Sequence, residues 1–128
     1  MRGIRWTLVL VWMGFLAYLS LGRAYPPPVE GMLAVTGTTL LHFAGYAVLS
    51  TALGWALGGR ARRLVAAASL AFAYGGALEA LQLLVPARTA NWADLGINLA
   101  GALTGTLIAL LAVRLFRWAR PNRGKTPT

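Results

Sequence analysis

Polar segments divide the chain into four long apolar runs, over residues 6–21, 38–57, 64–85 and 96–113. A helix needs about 20 apolar residues to cross the hydrocarbon core of a bilayer, and the last three runs reach or approach that length. Since lipid offers backbone groups no hydrogen-bond partner, each run is predicted to be a helix. The pattern predicts an all-α, polytopic membrane protein, a bundle of four transmembrane helices forming one domain over residues 1–120.

The first run has a second interpretation. Arg2 and Arg5 precede it, and the small residues Gly22 and Ala24 follow it, which is also the arrangement of a cleaved signal peptide. The three prolines at 26–28 are more typical of a stiff loop. The residues alone leave both alternatives open. Cleavage would leave three helices in the same orientation.

The connections between the runs differ in length. The segment 22–37 is the longest, and we expect it to be a loop lying over the membrane surface. The connections 58–63 and 86–93 are short, so the helices they join are predicted to be antiparallel neighbours. The tail 121–128 is basic and polar, and it is predicted to be a disordered cytoplasmic segment.

Composition supports a membrane protein, since 58% of the residues are hydrophobic and 12% are charged. The net charge of +9 is unevenly placed: ten of the twelve basic residues fall at the two termini or in the connection 58–63. The positive-inside rule therefore predicts that both termini are cytoplasmic, and no nucleic-acid partner is expected. The chain has no cysteine, which excludes disulfides and thiolate chemistry.

The few polar residues of the runs are concentrated on one side of the predicted bundle. In this topology Glu79 lies seven residues before Pro86, about 10 Å deep, and His42 lies four residues into its run, roughly 6 Å deep. Asp94 and Asn98 stand at the head of the last run. Residues distant in sequence are thus expected to meet at similar depth, on the outer side of the membrane.

Helical phase supports this convergence. Asp94, Asn98, Gly101 and Gly105 are spaced by four, three and four residues, so they form one stripe of a helix. The two glycines make a small-xxx-small pair, which lets another helix approach closely. That helix is expected to come from the bundle itself, and a homodimer through Gly101 and Gly105 stays an alternative.

The chemistry of this polar cluster can be narrowed. Ser50 and Ser69 lie too deep for a serine triad, and one histidine with two acids at separate positions is a weak signal for a metal. No metal or other cofactor is therefore expected. General acid–base chemistry remains, with Glu79 and Asp94 in different environments as acid and base and His42 as proton relay. An alternative is that these residues only lock the helices together.

The ordered motifs resemble those of the VanZ-like membrane protein family. The resemblance covers about residues 38–105. It rests on the following residues in their order and spacing: His42-Phe43-x-x-Tyr46, Glu79-x-x-Gln82-x-x-x-Pro86-x-Arg88, Asp94, Asn98, Gly101 and Gly105. The chain departs from the family where members often carry a charged pair about one turn before the histidine, because Thr38 and Thr39 stand there.

The resemblance implies a multi-pass protein of the bacterial cytoplasmic membrane. The family is named for an accessory protein of glycopeptide resistance, linked to teicoplanin. We expect His42, Glu79 and Asp94 to be catalytic. Four further motif residues are expected to bind the substrate: Arg88, Gln82, Asn98 and Tyr46. The expected partners are the lipid bilayer and a lipid-linked envelope precursor, on which the protein would act or to which it would bind. The rival interpretation is a non-enzymatic scaffold.

Overall fold

The computed structural model describes residues 2–22, 24–86 and 91–119, and in those ranges the chain forms helices and no strand. The helices are α1 (Arg2–Leu21), α2 (Pro27–Thr36), α3 (Thr38–Leu57), α4 (Ala61–Gln82) and α5 (Trp92–Trp118). Helices α1, α3, α4 and α5 are each long and apolar enough to cross a membrane. The all-helical fold with four long apolar helices is therefore confirmed.

The first connection is not the loop that was expected, because ten of its residues form α2. Pro27 and Pro28 occupy the first positions of this helix, where the missing N–H would have no intrahelical partner in any case. Glu30 lies in the first turn, where a negative charge is favourable. Gly37, at φ 73°, separates α2 from α3 in a conformation that favours glycine.

Two of the helix boundaries that differ from the predicted runs flank the third connection. Helix α4 ends at Gln82, before the predicted end at Val85, and tight turns follow up to Pro86, whose ring disfavours helix in the preceding residue. Helix α5 begins at Trp92, because the Asn91 side chain accepts a hydrogen bond from the Ala93 N–H at 3.0 Å and caps the first turn. Hydropathy alone misses this polar first turn.

Interhelical hydrogen bonds show how the long helices are arranged. His42 and Ser50 of α3 pair with Asn98 and Thr106 of α5, both at a separation of 56 residues, so α3 and α5 are parallel. In the same way Tyr74 and Gln82 of α4 bond to Met13 and Ser20 of α1, so α1 and α4 are parallel.

Helices α1 and α3 are antiparallel. Trp12 of α1 donates to the Gly45 carbonyl, while Arg5, earlier in α1, donates to the later Trp55 carbonyl.

These directions bring four helix ends together. Helices α1 and α4 end, and α3 and α5 begin, on the same side of the bundle, which is called the site end below. Many large apolar side chains stay exposed along the four long helices, among them Leu10, Val48, Leu70 and Leu115. Their exposure suits a lipid environment, where apolar surface needs no cover.

The small-residue stripe of α5 packs inside the chain. A Cβ added at Gly101 would collide with the Phe43 carbonyl oxygen, and one at Gly105 with the Ala47 carbonyl oxygen. Both glycines are buried against α3. The alternative of a homodimer through these glycines therefore loses its basis, because the stripe is already occupied by a helix of the same chain.

Candidate functional site

Three ionisable side chains meet at the site end, as their predicted depths indicate. His42, Glu79 and Asp94 each bring one nitrogen or carboxylate oxygen to within 4.8 Å of the other two. Glu79 is 8% exposed, and His42 and Asp94 are half-buried. Each residue comes from a different helix, so the group exists only when α3, α4 and α5 are assembled. Their catalytic roles stay predictions.

His42 is oriented by an amide. Its Nδ1 lies 3.0 Å from Oδ1 of Asn98, which is fully buried. A carbonyl oxygen can only accept a hydrogen bond, so Nδ1 is the donor in this contact, and the opposite ring nitrogen, Nε2, is not used by it. Asn98, expected as a substrate-binding residue, thus positions the histidine.

Glu79 lies closer to its helix end than was expected, because α4 stops at Gln82, only three residues further. Its Oε2 accepts a hydrogen bond from the Asn91 backbone N–H at 3.2 Å. Asn91 caps α5, so the carboxylate also lies beside the positive end of that helix dipole. Asp94 occupies the first turn of the same helix.

Gln82 is used to join helices. Its Nε2 donates to Ser20 Oγ at 2.8 Å and to the Ser20 carbonyl at 3.1 Å, which ties the ends of α4 and α1 together. Both residues are buried. A substrate-binding role for Gln82 stays a prediction, and this contact independently explains a glutamine at the position.

Below the ionisable group, Tyr46 and Asn98 share the space over Gly75. A Cβ at Gly75 would approach the Tyr46 ring and Asn98 Nδ2 to 3.0 Å each, so a side chain there would displace one of them. Tyr46 is buried, and its ring centroid lies 6.4 Å from that of His42. Asn98 Nδ2 has no hydrogen-bond partner within the described part of the chain.

Among the described residues, the arginines lie at the end of the bundle opposite to Glu79 and Asp94. They lie at the start of α1, in or near the α3–α4 connection, and late in α5. Arg88, which is expected to bind the substrate, lies outside the described residues, as does the tail 121–128. Two neighbouring carboxylates repel each other unless a proton or a cation compensates them.

Two apolar cavities adjoin the ionisable group. One, of about 130 Å³, is bordered by α1, α2 and α3 and reaches His42 and Gln82; its apolar lining includes Leu16, Leu19, Leu33 and Leu41. The other, of about 220 Å³, lies between α4 and α5 and reaches Glu79; it is lined by Gly76, Ala80, Leu83, Asn91, Trp92 and Leu95. Apolar space therefore meets polar chemistry on both sides.

Four apolar spans with a polar group at one end define a small multi-pass membrane protein. The sequence profile of the VanZ/LLP1 family matches residues 4–115, so the chain belongs to that family. No curated protein and no solved structure matches the chain. The match includes α1, whose buried residues pack into the bundle.

Sequence reasoning missed two contributors to the site. Asn91 supplies both the cap of α5 and the N–H that binds Glu79. Its signal was an asparagine three residues before Asp94, a typical start of a helix. Ser20 is the second contributor, and its pairing with Gln82 depends on helix rotations that the sequence does not reveal.

Proposed function

We propose that the protein binds an amphiphilic, lipid-linked molecule of the cell envelope and acts on its headgroup at the site end. In this proposal both termini are cytoplasmic and the site end faces outward. The carrying observation is the continuity of an apolar cavity with an ionisable group, because His42 belongs to both. The proposal includes an effect on glycopeptide susceptibility, because the family is named for an accessory protein of glycopeptide resistance.

The cavity bordered by α1, α2 and α3 suits a hydrocarbon chain. Leucines from all three helices line it, and the polar residues of its lining include Ser20, His42 and Gln82. Ligand sites are commonly apolar with a few placed polar groups. A chain held here would leave its headgroup beside His42, at the ionisable group.

The ionisable group suits proton transfer at that headgroup. Glu79 and Asp94 lie in different surroundings, one buried and one half-buried, which favours a division into acid and base. His42 is held by Asn98 through Nδ1 and serves as the proton relay through Nε2. Arg88 would recognise a negative charge on the headgroup.

Filling the cavity tests the lipid-binding step. Leu41→Trp adds a large side chain to the lining, so we expect at least a tenfold loss of the co-purified envelope lipid, measured by mass spectrometry. Leu40→Trp is the matched control, since Leu40 neighbours it on α3, is 53% exposed and does not line the cavity. Equal lipid retention in both variants would contradict the assignment of the cavity.

A second candidate function is a non-enzymatic binder or scaffold. It is favoured by the hydrogen bonds Gln82–Ser20 and His42–Asn98, which join helices irrespective of any substrate. The scaffold interpretation predicts that Arg88→Ala reduces function more than Glu79→Gln, because charge recognition matters and proton transfer does not. The enzyme interpretation predicts the reverse order, and the change in envelope lipids per expressed protein measures it.

A further inference from the structure

Within the described residues, no cationic side chain faces the two carboxylates at the site end. His42, Glu79 and Asp94 present three possible ligand atoms from three helices, all within 4.8 Å of one another. Glu79 is buried, and among the described residues its hydrogen-bond donor is the Asn91 N–H, which compensates only part of a full negative charge. Burying a carboxylate is costly unless it is paired or coordinates a metal.

We infer that this group binds one divalent transition-metal ion, Zn²⁺ or Mn²⁺. Imidazole suits zinc and carboxylates suit manganese, and the group offers both kinds of ligand. Metals that prefer thiolates have no such ligand in a chain without cysteine. One divalent charge would offset both carboxylates.

Asn98 supports the assignment through His42. Histidines that bind metals generally donate their other ring N–H to a carbonyl or carboxylate, which fixes the ring and its tautomer. The His42 Nδ1–H to Asn98 Oδ1 contact at 3.0 Å has this form and leaves Nε2 for the ion. The Asn91 N–H plays a corresponding role for Glu79, since it holds one carboxylate oxygen in place.

The spacing suits an open site. Ligand atoms about 2.0–2.2 Å from zinc lie roughly 3.3–3.6 Å apart, so side-chain adjustments of about 1 Å would close the observed group around an ion. Three protein ligands leave at least one coordination position for water or for an oxygen of another molecule. The adjoining cavities give such a molecule access.

The metal site deepens the proposed function. Only the identity of the non-protein ligand that completes the coordination rests on that function. That ligand would be an anionic headgroup oxygen, such as a phosphate. With an ion bound, His42 would hold the ion instead of relaying protons, and each carboxylate would bind it through one oxygen and keep the other for the acid–base step proposed above. The ion itself requires only the three protein side chains, so its binding is testable without any envelope lipid.

The test uses the full chain, stripped of metal by a chelator and placed in nanodiscs of synthetic phosphatidylcholine. Titration calorimetry with Zn²⁺ and Mn²⁺, followed by elemental analysis, is expected to show one ion per chain. Glu79→Gln and Asp94→Asn should each weaken binding by at least the ten- to hundredfold that loss of an outer-shell partner costs. Glu30→Gln is the matched control, since Glu30 is exposed on α2 and is expected to bind as wild type.

X-ray absorption of the zinc-loaded protein provides a readout that does not depend on the acidic variants folding. Imidazole scattering from one histidine is expected, and the chain has only His42 to supply it. Less than half an ion per chain in wild type, or equal affinity in Glu79→Gln and Glu30→Gln, would overturn the metal site. Such a result leaves the lipid proposal intact, because Leu41→Trp tests that separately.

Discussion

Glu79→Gln is expected to abolish conversion of the envelope lipid while the protein stays folded and inserted. The substitution preserves the size of the side chain and removes both its proton chemistry and its charge. General acid–base groups contribute about a hundredfold or more to a rate, so a fall of at least that size is expected. The assay is conversion of extracted envelope lipids by protein in liposomes, followed by mass spectrometry.

The matched control is again Glu30→Gln, which makes the same chemical change at an exposed acid outside the ionisable group. It should keep the wild-type rate. Turnover retained within twofold by Glu79→Gln would remove Glu79 from the reaction. Helix content and elution volume of the variant establish that any loss is not a loss of fold.

Gly105→Ala is expected to destabilise the bundle strongly. The added methyl group would collide with the Ala47 backbone carbonyl, and a backbone atom cannot move aside as a flexible side chain can. Thr51 also donates to the carbonyls of both residues, at 2.8 Å to Ala47 and 3.0 Å to Gly105, so separating α3 from α5 would break this bridge as well. Overpacking costs about 1–3 kcal/mol, and the upper end of this range is expected here.

The same methyl group at Gly96 provides the comparison. Gly96 lies on the same helix, and a Cβ there meets nothing within 4 Å, so Gly96→Ala should leave the free energy of unfolding unchanged or raise it by up to about 1 kcal/mol, because alanine favours helix over glycine. Reversible unfolding in mixed detergent micelles measures both variants. Equal stability of the two would contradict the close packing of α3 and α5.

How much of the fold could be predicted depended on which boundaries carry a local signal. Helix α3 begins and ends as predicted, because Gly37 and Gly58 flank it, both with positive φ. Helix α5 begins before its apolar run, and hydropathy missed this because it detects only the apolar part of a helix and not a capped polar turn. Helix α2 was missed because consecutive prolines favour a stiff loop, whereas here they start a helix.

For the site, depth was predictable and detailed pairing was not. His42 and Asp94 lie near the starts of their helices and Glu79 near the end of its helix. Because successive long helices run in opposite directions, all three were expected on one side of the bundle, and they do meet there. Which atoms pair depends on helix rotation and on where α4 ends, as the contacts of Gln82 with Ser20 show. These quantities arise from packing of the whole bundle, so a single sequence does not reveal them.

The most direct test of the central claim compares the lipids that co-purify with wild type and with Glu79→Gln, expressed at matched levels. Mass spectrometry would cover both the purified proteins and the membranes from which they came. We predict one envelope lipid that wild type converts and that accumulates intact on the variant. The absence of any specific lipid from both proteins would contradict the account and leave the polar residues with a helix-joining role alone.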